Sequence, residues 1–573
     1  MAQNNRRRDP GGLDGQTIFL LLIVGVVALV LVAVNVPLRL AQAWTGAPTG
    51  LPGDPFTLLC DVAAHKVAFT ATAWWLLAGL AALLLLVAIA VGLLVHARRG
   101  RHSRVDQAAT WMGQGRDIHA LSRKAVGASA ARLGVSAVPG LPIGVTVTGA
   151  HPLFSSWEDM RITIAGPRTG KTTAMVVPEI LAAPGAVLVT SNKRDVVDAT
   201  RDVRAGAGPV WVFDPQGIAL EEATWWWNPL SYVTDEVRAT RLAEHFAAGS
   251  RQVGARTDAY FDNAGQDLLG GLLLAAALDH RPITDVYVWL TRPTDDTPVE
   301  VLRAGGFALT ADQVAGVIDA PEKQRGGVYG TAMQMASCLT NRQVAGWVTP
   351  QGSADPRPQL SPEAFVRADG GTLYSLSKAG RATAGPLVTA LTVAVVEAAE
   401  ELAARSPGGR LATPLVGVLD EAANVCRWRE LPNLYSHYGS RGIVLDTVLQ
   451  SWSQGVEVWG EGGMKKLWSA ANVKIYGGGV SEASFLEDLS RMIGDHDRLA
   501  SSTSYGRGPR TVSHQLQRER ILDVADLAAL PRGRAVVIGG GGPPPPGGAA
   551  PRGRGPPAGG GGGPRAPARP PGR

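Results

Sequence analysis

The chain has 573 residues and a net charge of +6, and 45% of its residues are hydrophobic while only 18% are charged. Three scattered cysteines exclude a disulfide framework and a metal site of spaced cysteine ligands. This composition is too apolar for a wholly soluble protein, so the excess of apolar residues must be concentrated in particular segments.

Two uncharged apolar runs lie near the N-terminus, at residues 17–36 and 67–95. A helix needs about 20 apolar residues to cross a bilayer, so both runs predict transmembrane helices and residues 1–104 predict a membrane domain. Arginines precede the first run and follow the second, which places both ends in the cytoplasm and the short loop 37–66 outside. A signal peptide cleaved after residues 41–43 is the alternative for the first run.

A mixed, weakly helical segment at residues 105–142 suits a stalk that leaves the membrane. Short apolar runs closed by polar residues then predict buried parallel strands, and a helix is predicted over residues 385–406. Strands that alternate with helices predict an α/β fold with a mainly parallel sheet. The predicted strands cover residues 143–149, 160–166, 185–192, 208–217, 371–377, 414–421, 442–451 and 471–478.

The strand signal disappears between residues 234 and 349, which predicts an all-α subdomain inserted into the sheet domain. The insertion divides the sheet domain into a first part at residues 143–233 and a second part at residues 350–540. Residues 541–573 are nearly all Gly, Pro, Ala and Arg, a composition that predicts a disordered tail. Three adjacent tryptophans at residues 225–227 are predicted to pack in the core around a buried turn.

The charge is unevenly distributed along the chain. Residues 1–104 sum to +5 and residues 541–573 sum to +5, which leaves about −4 for residues 105–540. A uniformly basic surface that grips DNA without sequence preference is therefore excluded for the main body, and any DNA contact there must be a local patch.

Residues 165–172 read A-G-P-R-T-G-K-T, between a predicted strand and a predicted helix. The spacing matches the P-loop pattern G-x-x-x-x-G-K-[S/T], except that an alanine replaces the first glycine. Backbone N–H groups at a helix N-terminus hold the phosphates, so this substitution leaves the chemistry in place. The predicted nucleotide-binding residues are Ala165, Gly166, Pro167, Arg168, Thr169, Gly170, Lys171, Thr172 and Thr173.

Specific roles follow from the chemistry of the P-loop and of a second strand that ends in two carboxylates. Lys171 reaches the β and γ phosphates and the Thr172 hydroxyl ligates Mg²⁺. Asp420 is predicted to hold Mg²⁺ through its water shell, and Glu421 to polarise the attacking water as the general base. Gln450 follows the next strand and is predicted to orient water or to sense the γ-phosphate.

Arg441 precedes that same strand and is predicted to act as an arginine finger in a neighbouring subunit. Two further stretches imitate GTPase motifs, N-K-R-D at residues 192–195 and D-P-Q-G at residues 214–217. Their order is reversed relative to GTPases, and the first lies too close to the P-loop. We therefore expect ATP, with Mg²⁺, and not GTP.

These motifs in this order resemble the conjugative type IV coupling proteins, the TraG/TraD/VirD4 family. The resemblance rests on the N-terminal membrane hairpin, the P-loop, and the motifs at residues 189–201, 210–217, 227–230, 418–425 and 449–454. It covers roughly residues 17–540, and residues 415–495 are similar to the part of the family labelled TraM-recognition. The alanine at residue 165 and the C-terminal tail depart from the family pattern.

The resemblance implies a RecA-like P-loop motor domain with an all-α insertion, assembled as a hexamer at the cytoplasmic face of the inner membrane. It implies that ATP hydrolysis drives a relaxase-bound single strand, or double-stranded DNA, towards a type IV secretion channel. The helical insertion would recognise relaxosome proteins. Three alternatives stay open: an FtsK-like DNA translocase, a coupling ATPase for proteins alone, and a membrane scaffold that binds ATP without turnover.

Overall fold

The computed structural model describes residues 15–46, 50–99, 103–135, 138–250, 259–352, 354–368, 370–378, 380, 383–504 and 511–539. The predicted disordered tail at residues 541–573 and the first arginine cluster lie outside these residues.

The N-terminal part contains α1 (Gly15–Thr45), α2 (Pro55–Ala63) and α3 (Ala71–Arg99). Two windows, Val27–Thr45 and Ala71–Ala90, are long and apolar enough to cross a membrane, and most of each window is exposed in the structure. The loop predicted at residues 37–66 contains helical structure. Helix α1 continues through Pro37 to Thr45, and Asp54 caps α2 by accepting the backbone N–H of Thr57.

The segment expected to be a stalk packs against the C-terminal part of the chain. It contains α4 (Arg104–Ala108) and α5 (Arg123–Arg132). Asp106 of α4 is buried, and its Oδ1 accepts Arg534 Nε at 2.6 Å. Arg104 lies 3.3 Å from Asp526. Helix α4, called here the membrane-proximal helix, is therefore bonded to residues that follow it by more than 400 positions.

One eight-stranded sheet organises the rest of the chain, in the order β12-β9-β3-β8-β7-β4-β6-β5. All neighbours in this sheet are parallel except β12 and β9, which are antiparallel. Two separate antiparallel ribbons pair β1 with β2 and β10 with β11. The strands are β1 (Leu141–Val145), β2 (Pro152–Ser155), β3 (Arg161–Ile164), β4 (Val187–Ser191), β5 (Val210–Phe213), β6 (Thr372–Leu376), β7 (Leu415–Leu419), β8 (Ile443–Leu449), β9 (Val473–Tyr476), β10 (Asp495–Ser504), β11 (Thr511–Arg520) and β12 (Val536–Gly539).

Two helices follow the first strands of the sheet, α6 (Val177–Ala182), which a π-helical turn at Thr172–Val176 precedes, and α7 (Asp195–Ala205). After β5, every regular element up to residue 348 within the described ranges is helical, as predicted for the insertion. Its α-helices are α8 (Glu236–Ser250), α9 (Ala259–Leu278), α10 (Thr284–Leu290), α11 (Thr297–Ala304), α12 (Ala308–Ile318), α13 (Glu322–Met335) and α14 (Arg342–Val348).

The second part of the sheet domain supplies the remaining helices. The predicted helix at residues 385–406 is confirmed, and most of its side chains are buried between the sheet and the insertion. Trp225 and Trp227 are buried, and the Trp225 ring meets that of Trp347 edge-on, as the core prediction requires. These helices are α15 (Pro362–Arg367), α16 (Gly385–Arg405), α17 (Ala422–Val425), α18 (Leu431–Tyr438), α19 (Trp452–Ala470), α20 (Ala483–Ile493) and α21 (Val524–Ala528).

All eight predicted strands are present, and four further strands were not predicted. Strands β10 and β11 are rich in Ser, Thr, Gln, Arg and Asp and lack the alternation of apolar and polar residues that marks a half-buried strand. Strand β12 is only four residues long and joins the sheet at its edge. Such strands depend on a distant or ribbon partner and leave little local signal.

A buried ion network lies beneath the helix that follows β3. Arg161 on β3 donates to Glu179 on α6 at 2.6 Å and lies 3.6 Å from Asp446 on β8, and all three side chains are almost inaccessible. Burial raises the pKa of Glu179 well above its usual value, although the Arg161 charge opposes that shift. The network therefore fixes α6 to β3 and β8. It remains intact when the Glu179 carboxyl is neutral.

We predict that two substitutions in this network lower the free energy of unfolding by very different amounts. Arg161→Met leaves two buried carboxyl groups without their cation, which costs about 3–5 kcal/mol in the free energy of unfolding. Glu179→Gln costs much less, because the amide resembles the neutral carboxyl that burial favours. Thermal unfolding of the full chain in detergent should show a large loss of Tm for the first variant and a small loss for the second. Equal losses would contradict this account.

Candidate nucleotide-binding site

The P-loop connects β3 to the helical turn at Thr172–Val176. Gly170 has φ +90° and Arg168 has φ +61°, so the loop folds through two left-handed positions before the helix begins. The first N–H groups of a helix have no intrahelical acceptor and point out of its N-terminus. The loop therefore forms a concave, N–H-rich surface of the kind that binds phosphates in P-loop proteins.

Three glycines after β9 form the wall beside the P-loop. The N–H of Gly166 donates to the carbonyl of Gly478 at 2.8 Å, and a Cβ on Gly166 would lie 1.9 Å from the carbonyl oxygen of Gly479. A Cβ on Gly477 would lie 2.9 Å from the Cβ of Ala165. The alanine at residue 165 is thus accommodated because a glycine faces it.

This packing narrows the predicted phosphate-binding set. The N–H of Gly166 already has an acceptor, and Pro167 has no N–H to donate. The N–H groups left to meet a phosphate begin at Arg168, whereas the set of nucleotide-binding residues predicted from the sequence begins at Ala165. Ala165, Gly166 and Pro167 serve the shape of the loop.

Three strand ends bring the other predicted residues to Lys171. Lys171 Nζ donates to Glu421 Oε1 at 2.8 Å, and Gln450 Nε2 donates to the two carboxylate oxygens of Glu421 at 2.5 and 2.6 Å. Asn424 Nδ2 donates to Glu421 Oε2 at 2.9 Å. Burial raises the pKa of Glu421, but Lys171, Gln450 and Asn424 together hold it below its usual value. Glu421 is therefore an ionised carboxylate in this arrangement.

Glu421 occupies a left-handed backbone conformation, with φ +57° and ψ +38°, at the second position after β7. Such a conformation costs a residue with a side chain about 1–2 kcal/mol and persists only where the surroundings impose it. The turn points the carboxylate back towards Lys171. Its strain is consistent with a functional position.

Asp420 is almost completely buried beside Glu421. Its Oδ2 accepts Ser191 Oγ at 3.3 Å, while its Oδ1 has no hydrogen-bond partner among the described residues. Burial, opposed in part by the Lys171 charge, raises the pKa of Asp420 to about 6. A buried carboxylate oxygen without a partner is costly for folding, and such groups concentrate at functional sites.

These residues fit a magnesium ion. Mg²⁺ prefers oxygen ligands and usually keeps several waters while one or two protein groups hold it beside phosphates. The free Oδ1 of Asp420 and the hydroxyl of Thr172, at the start of the helix after the P-loop, are oxygen donors of this kind. A divalent cation would also offset the cost of the buried carboxylate.

Arg441 lies at the other end of the sheet. It precedes β8, whereas Gln450 follows β8, so the whole strand separates Arg441 from the P-loop of its own chain. Arg441 is half-exposed and forms an ion pair with Glu400 on α16. The finger role of Arg441 stays a prediction, and it requires the nucleotide of another subunit.

The GTPase-like stretch at residues 214–217 has a structural explanation. The carboxylate of Asp214 accepts the N–H groups of Ile218, Ala219 and Glu221 and thereby closes the loop after β5. Gln216 accepts from Ser377 and from the N–H of Lys378 and Ala384. These residues organise loops beside β6.

Sequence reasoning missed Ser191, Asn424 and the glycine run at residues 477–479. Asn424 follows Glu421 by three positions on a short helix and could have been found from that spacing. Ser191 ends β4, which pairs with β7, and only the strand order shows that it reaches Asp420. The glycine run at a strand end was visible but had no assigned partner.

The raised pKa of Asp420 predicts a pH-dependent effect on stability. Its pKa is about 6 in the folded chain and 3.8 in the unfolded reference, so the ionised carboxylate costs stability above about pH 6, and the cost vanishes as the pH falls towards 3.8. Two pKa units correspond to about 3 kcal/mol. Asp420→Asn should therefore raise Tm without nucleotide at pH 8 and have little effect at pH 4.

A suitable control is Asp198→Asn on the exposed face of α7, where Arg194 holds the pKa of Asp198 below its usual value. That variant should not raise Tm at pH 8. If Asp420→Asn lowers Tm at pH 8, the buried carboxylate is not the cost that we assign to it.

The described residues can be compared with solved structures. The chain is similar to the bacterial conjugative coupling protein TrwBdeltaN70 in its unbound monoclinic form, with 19% identity, 70% of this chain and 86% of that chain covered, and a TM-score of 0.49. Complexes of the plasmid coupling protein TrwB with the GTP analogue GDPNP and with the ATP analogue ADPNP each show 19% identity. Each covers 70% of this chain and 87% of the other, with a TM-score of 0.48.

Two family models match the sequence, and a comparison with curated proteins gives no match. The model described as type IV secretory system conjugative DNA transfer matches residues 146–352. The model described as the TraM recognition site of TraD and TraG matches residues 414–532. The two models together cover more than half of the chain and include the P-loop, both acidic residues and Gln450. The chain therefore belongs to the conjugative type IV coupling proteins.

Proposed function

We propose that this coupling protein is a membrane-anchored, hexameric ATPase whose hydrolysis of ATP drives conjugative DNA transfer. The observation that carries the proposal is the meeting of Lys171, Glu421 and Gln450 within hydrogen-bond distance, from three strand ends that are far apart in sequence. A P-loop lysine, a carboxylate and a polar side chain on the intervening strand are the groups that hydrolysis of a γ-phosphate requires.

The residues divide the chemistry as follows. Backbone N–H groups from Arg168 onwards cradle the phosphates, and Lys171 exchanges its contact with Glu421 for the β and γ phosphates. Asp420 and Thr172 would hold Mg²⁺, which would neutralise negative charge on the phosphates. The carboxylate of Glu421, released from Lys171, accepts a proton from the attacking water. Gln450 holds the orientation of this carboxylate through its two hydrogen bonds.

Membrane anchoring rests on α1 and α3. Their candidate spans are mostly exposed in the structure, and an apolar surface of that extent must be shielded from water. A lipid bilayer has the thickness that matches the length of these helices. The arginines that follow the second apolar run favour a cytoplasmic location for the motor domain. The inner membrane is the compartment that the family's role in conjugation requires.

DNA, relaxosome proteins and the secretion channel are the proposed partners. Conjugative transfer supplies DNA and its bound relaxase as the substrate, and the helical insertion α8–α14 is the proposed surface for relaxosome proteins. The main body carries about −4 net charge, so the DNA contacts must be confined to local patches, as loops around a ring's pore would provide. Arg441, paired with Glu400, would then meet the nucleotide of the neighbouring subunit in that ring.

The first experiment measures ATP hydrolysis by the full chain in detergent, with and without DNA. We expect DNA to stimulate turnover, Lys171→Ala to abolish it, and Glu421→Gln to lower it about 10²–10⁴-fold through loss of the general base. Lys465→Ala, an exposed lysine on α19, is the matched control and should keep full turnover. The same assay with GTP tests the expected preference for ATP.

The outcomes separate the alternatives. Absence of turnover in every oligomeric state would favour a scaffold that binds ATP without hydrolysis. Turnover that DNA neither stimulates nor competes for would favour a coupling ATPase for proteins alone.

The second experiment measures transfer of a mobilisable plasmid from donor cells that carry each variant. We expect Lys171→Ala to reduce transfer to the background of a deletion strain, because the lysine contacts the phosphates that power transport, and Lys465→Ala to transfer normally. Transfer at the wild-type frequency by Lys171→Ala would refute the proposed function. An FtsK-like role predicts a chromosome-segregation defect in place of a transfer defect.

A further inference from the structure

A tight turn at residues 531–534 lies over the P-loop of the same chain. The N–H of Arg534 donates to the carbonyl of Pro531 at 3.0 Å, and Gly533 has φ +82°. This is the geometry of a turn whose third residue must be left-handed, which favours glycine there. The turn presents Arg532 at its corner.

Arg532 lies beside the glycine that precedes the P-loop lysine. Its Nε is 3.7 Å from the point that a Cβ on Gly170 would occupy, and Thr173 Oγ1 is 3.8 Å from the same point. Arg532 is exposed and has no carboxylate partner among the described residues. A guanidinium with unused donors therefore stands at the rim of the loop that holds the phosphates.

The base of this turn is fixed to the wall of the site. A Cβ on Gly478 would lie 3.0 Å from the Cβ of Leu530, and the carbonyl of Gly478 accepts the N–H of Gly166. The contacts run without a break from the P-loop through Gly478 to Leu530 and the turn. The position of Arg532 is thus tied to the position of the P-loop.

A second attachment joins the turn to the membrane-proximal helix. Arg534 donates from Nε to Asp106 Oδ1 at 2.6 Å and from Nη2 to Asp106 Oδ2 at 3.2 Å, and Asp106 is buried. Arg104 adds ion pairs to Asp523 and Asp526, which begin α21. A two-point contact of this kind fixes orientation as well as distance.

We propose that Arg532 is a phosphate-binding residue of the nucleotide site in its own subunit, and that Asp106 and Arg534 are positioning residues that hold its turn. The proposal rests on the proposed function, because it needs a nucleotide on the P-loop. A planar guanidinium binds phosphate through two parallel N–H groups, and the P-loop places phosphates beside Gly170. The turn at residues 531–534 would then contact the nucleotide through Arg532 and the membrane-proximal helix through Arg534.

The test uses the full chain in detergent and measures the Kd for ADP and for ATP with Mg²⁺ at fixed salt. Arg532→Ala should weaken both at least tenfold without lowering Tm, since the side chain is exposed. Arg532→Lys should recover part of the loss, because it keeps the charge but not the fork. Arg518→Ala on β11, an exposed arginine that forms an ion pair with Asp495, is the matched control and should bind normally.

Lys171→Ala distinguishes a failure of the Arg532 role from a failure of the proposed nucleotide site. If Lys171→Ala weakens binding and Arg532→Ala stays within twofold of the unmodified chain, the role of Arg532 is refuted and the proposed function stands. If Lys171→Ala leaves binding unchanged, the proposed nucleotide site itself fails.

A double variant tests the positioning residues. Asp106→Asn should weaken nucleotide binding about threefold to tenfold, and adding Arg532→Ala should cause no further loss beyond that of Arg532→Ala alone. Non-additivity of this kind indicates that Asp106 acts through Arg532. An additive loss would show that Asp106 affects the site by another route and would overturn its positioning role.

Discussion

The parallel pairing of β3, β8 and β7 is the constraint on which the whole site depends. Ile164 pairs with Leu449, and Leu419 pairs with Thr447, so the three strands end at the same edge of the sheet. The P-loop, Gln450 and the acidic pair each follow directly from those ends. A register shift of one residue would turn every strand side chain to the opposite face and separate the groups.

The site concentrates features that lower stability. Glu421 has a left-handed backbone, and Asp420 is a buried carboxylate with one oxygen lacking a partner. The surrounding sheet compensates with deep apolar burial and with the network of Arg161, Glu179 and Asp446 beneath the P-loop helix. This distribution is expected where a rigid scaffold holds groups that a ligand is meant to satisfy.

The C-terminal segment links regions that the order of elements keeps apart. Leu530 touches the glycine wall of the P-loop, and Arg534 is bonded to Asp106, which follows the second apolar helix by only a few residues. The segment predicted as a stalk thus packs against the C-terminal part of the chain. Leu530 and Arg534 thus bring the P-loop wall and α4 against one short segment of the chain.

The sequence by itself determined the α/β class, the eight strands that end in polar residues and the helical insertion, and it singled out Lys171, Asp420, Glu421 and Gln450, whose roles stay predictions. Those features are local, since each depends on periodicity or on a motif within about ten residues. Only the tertiary structure decided which N–H groups of the P-loop remain free, because that depends on a glycine run 300 residues away. It also decided that Ser191 and Asn424 support the acidic pair, and that Arg441 lies at the opposite end of the sheet. Strands β10–β12 left little local signal, and the position of the turn that carries Arg532 is set by partners that only folding brings together.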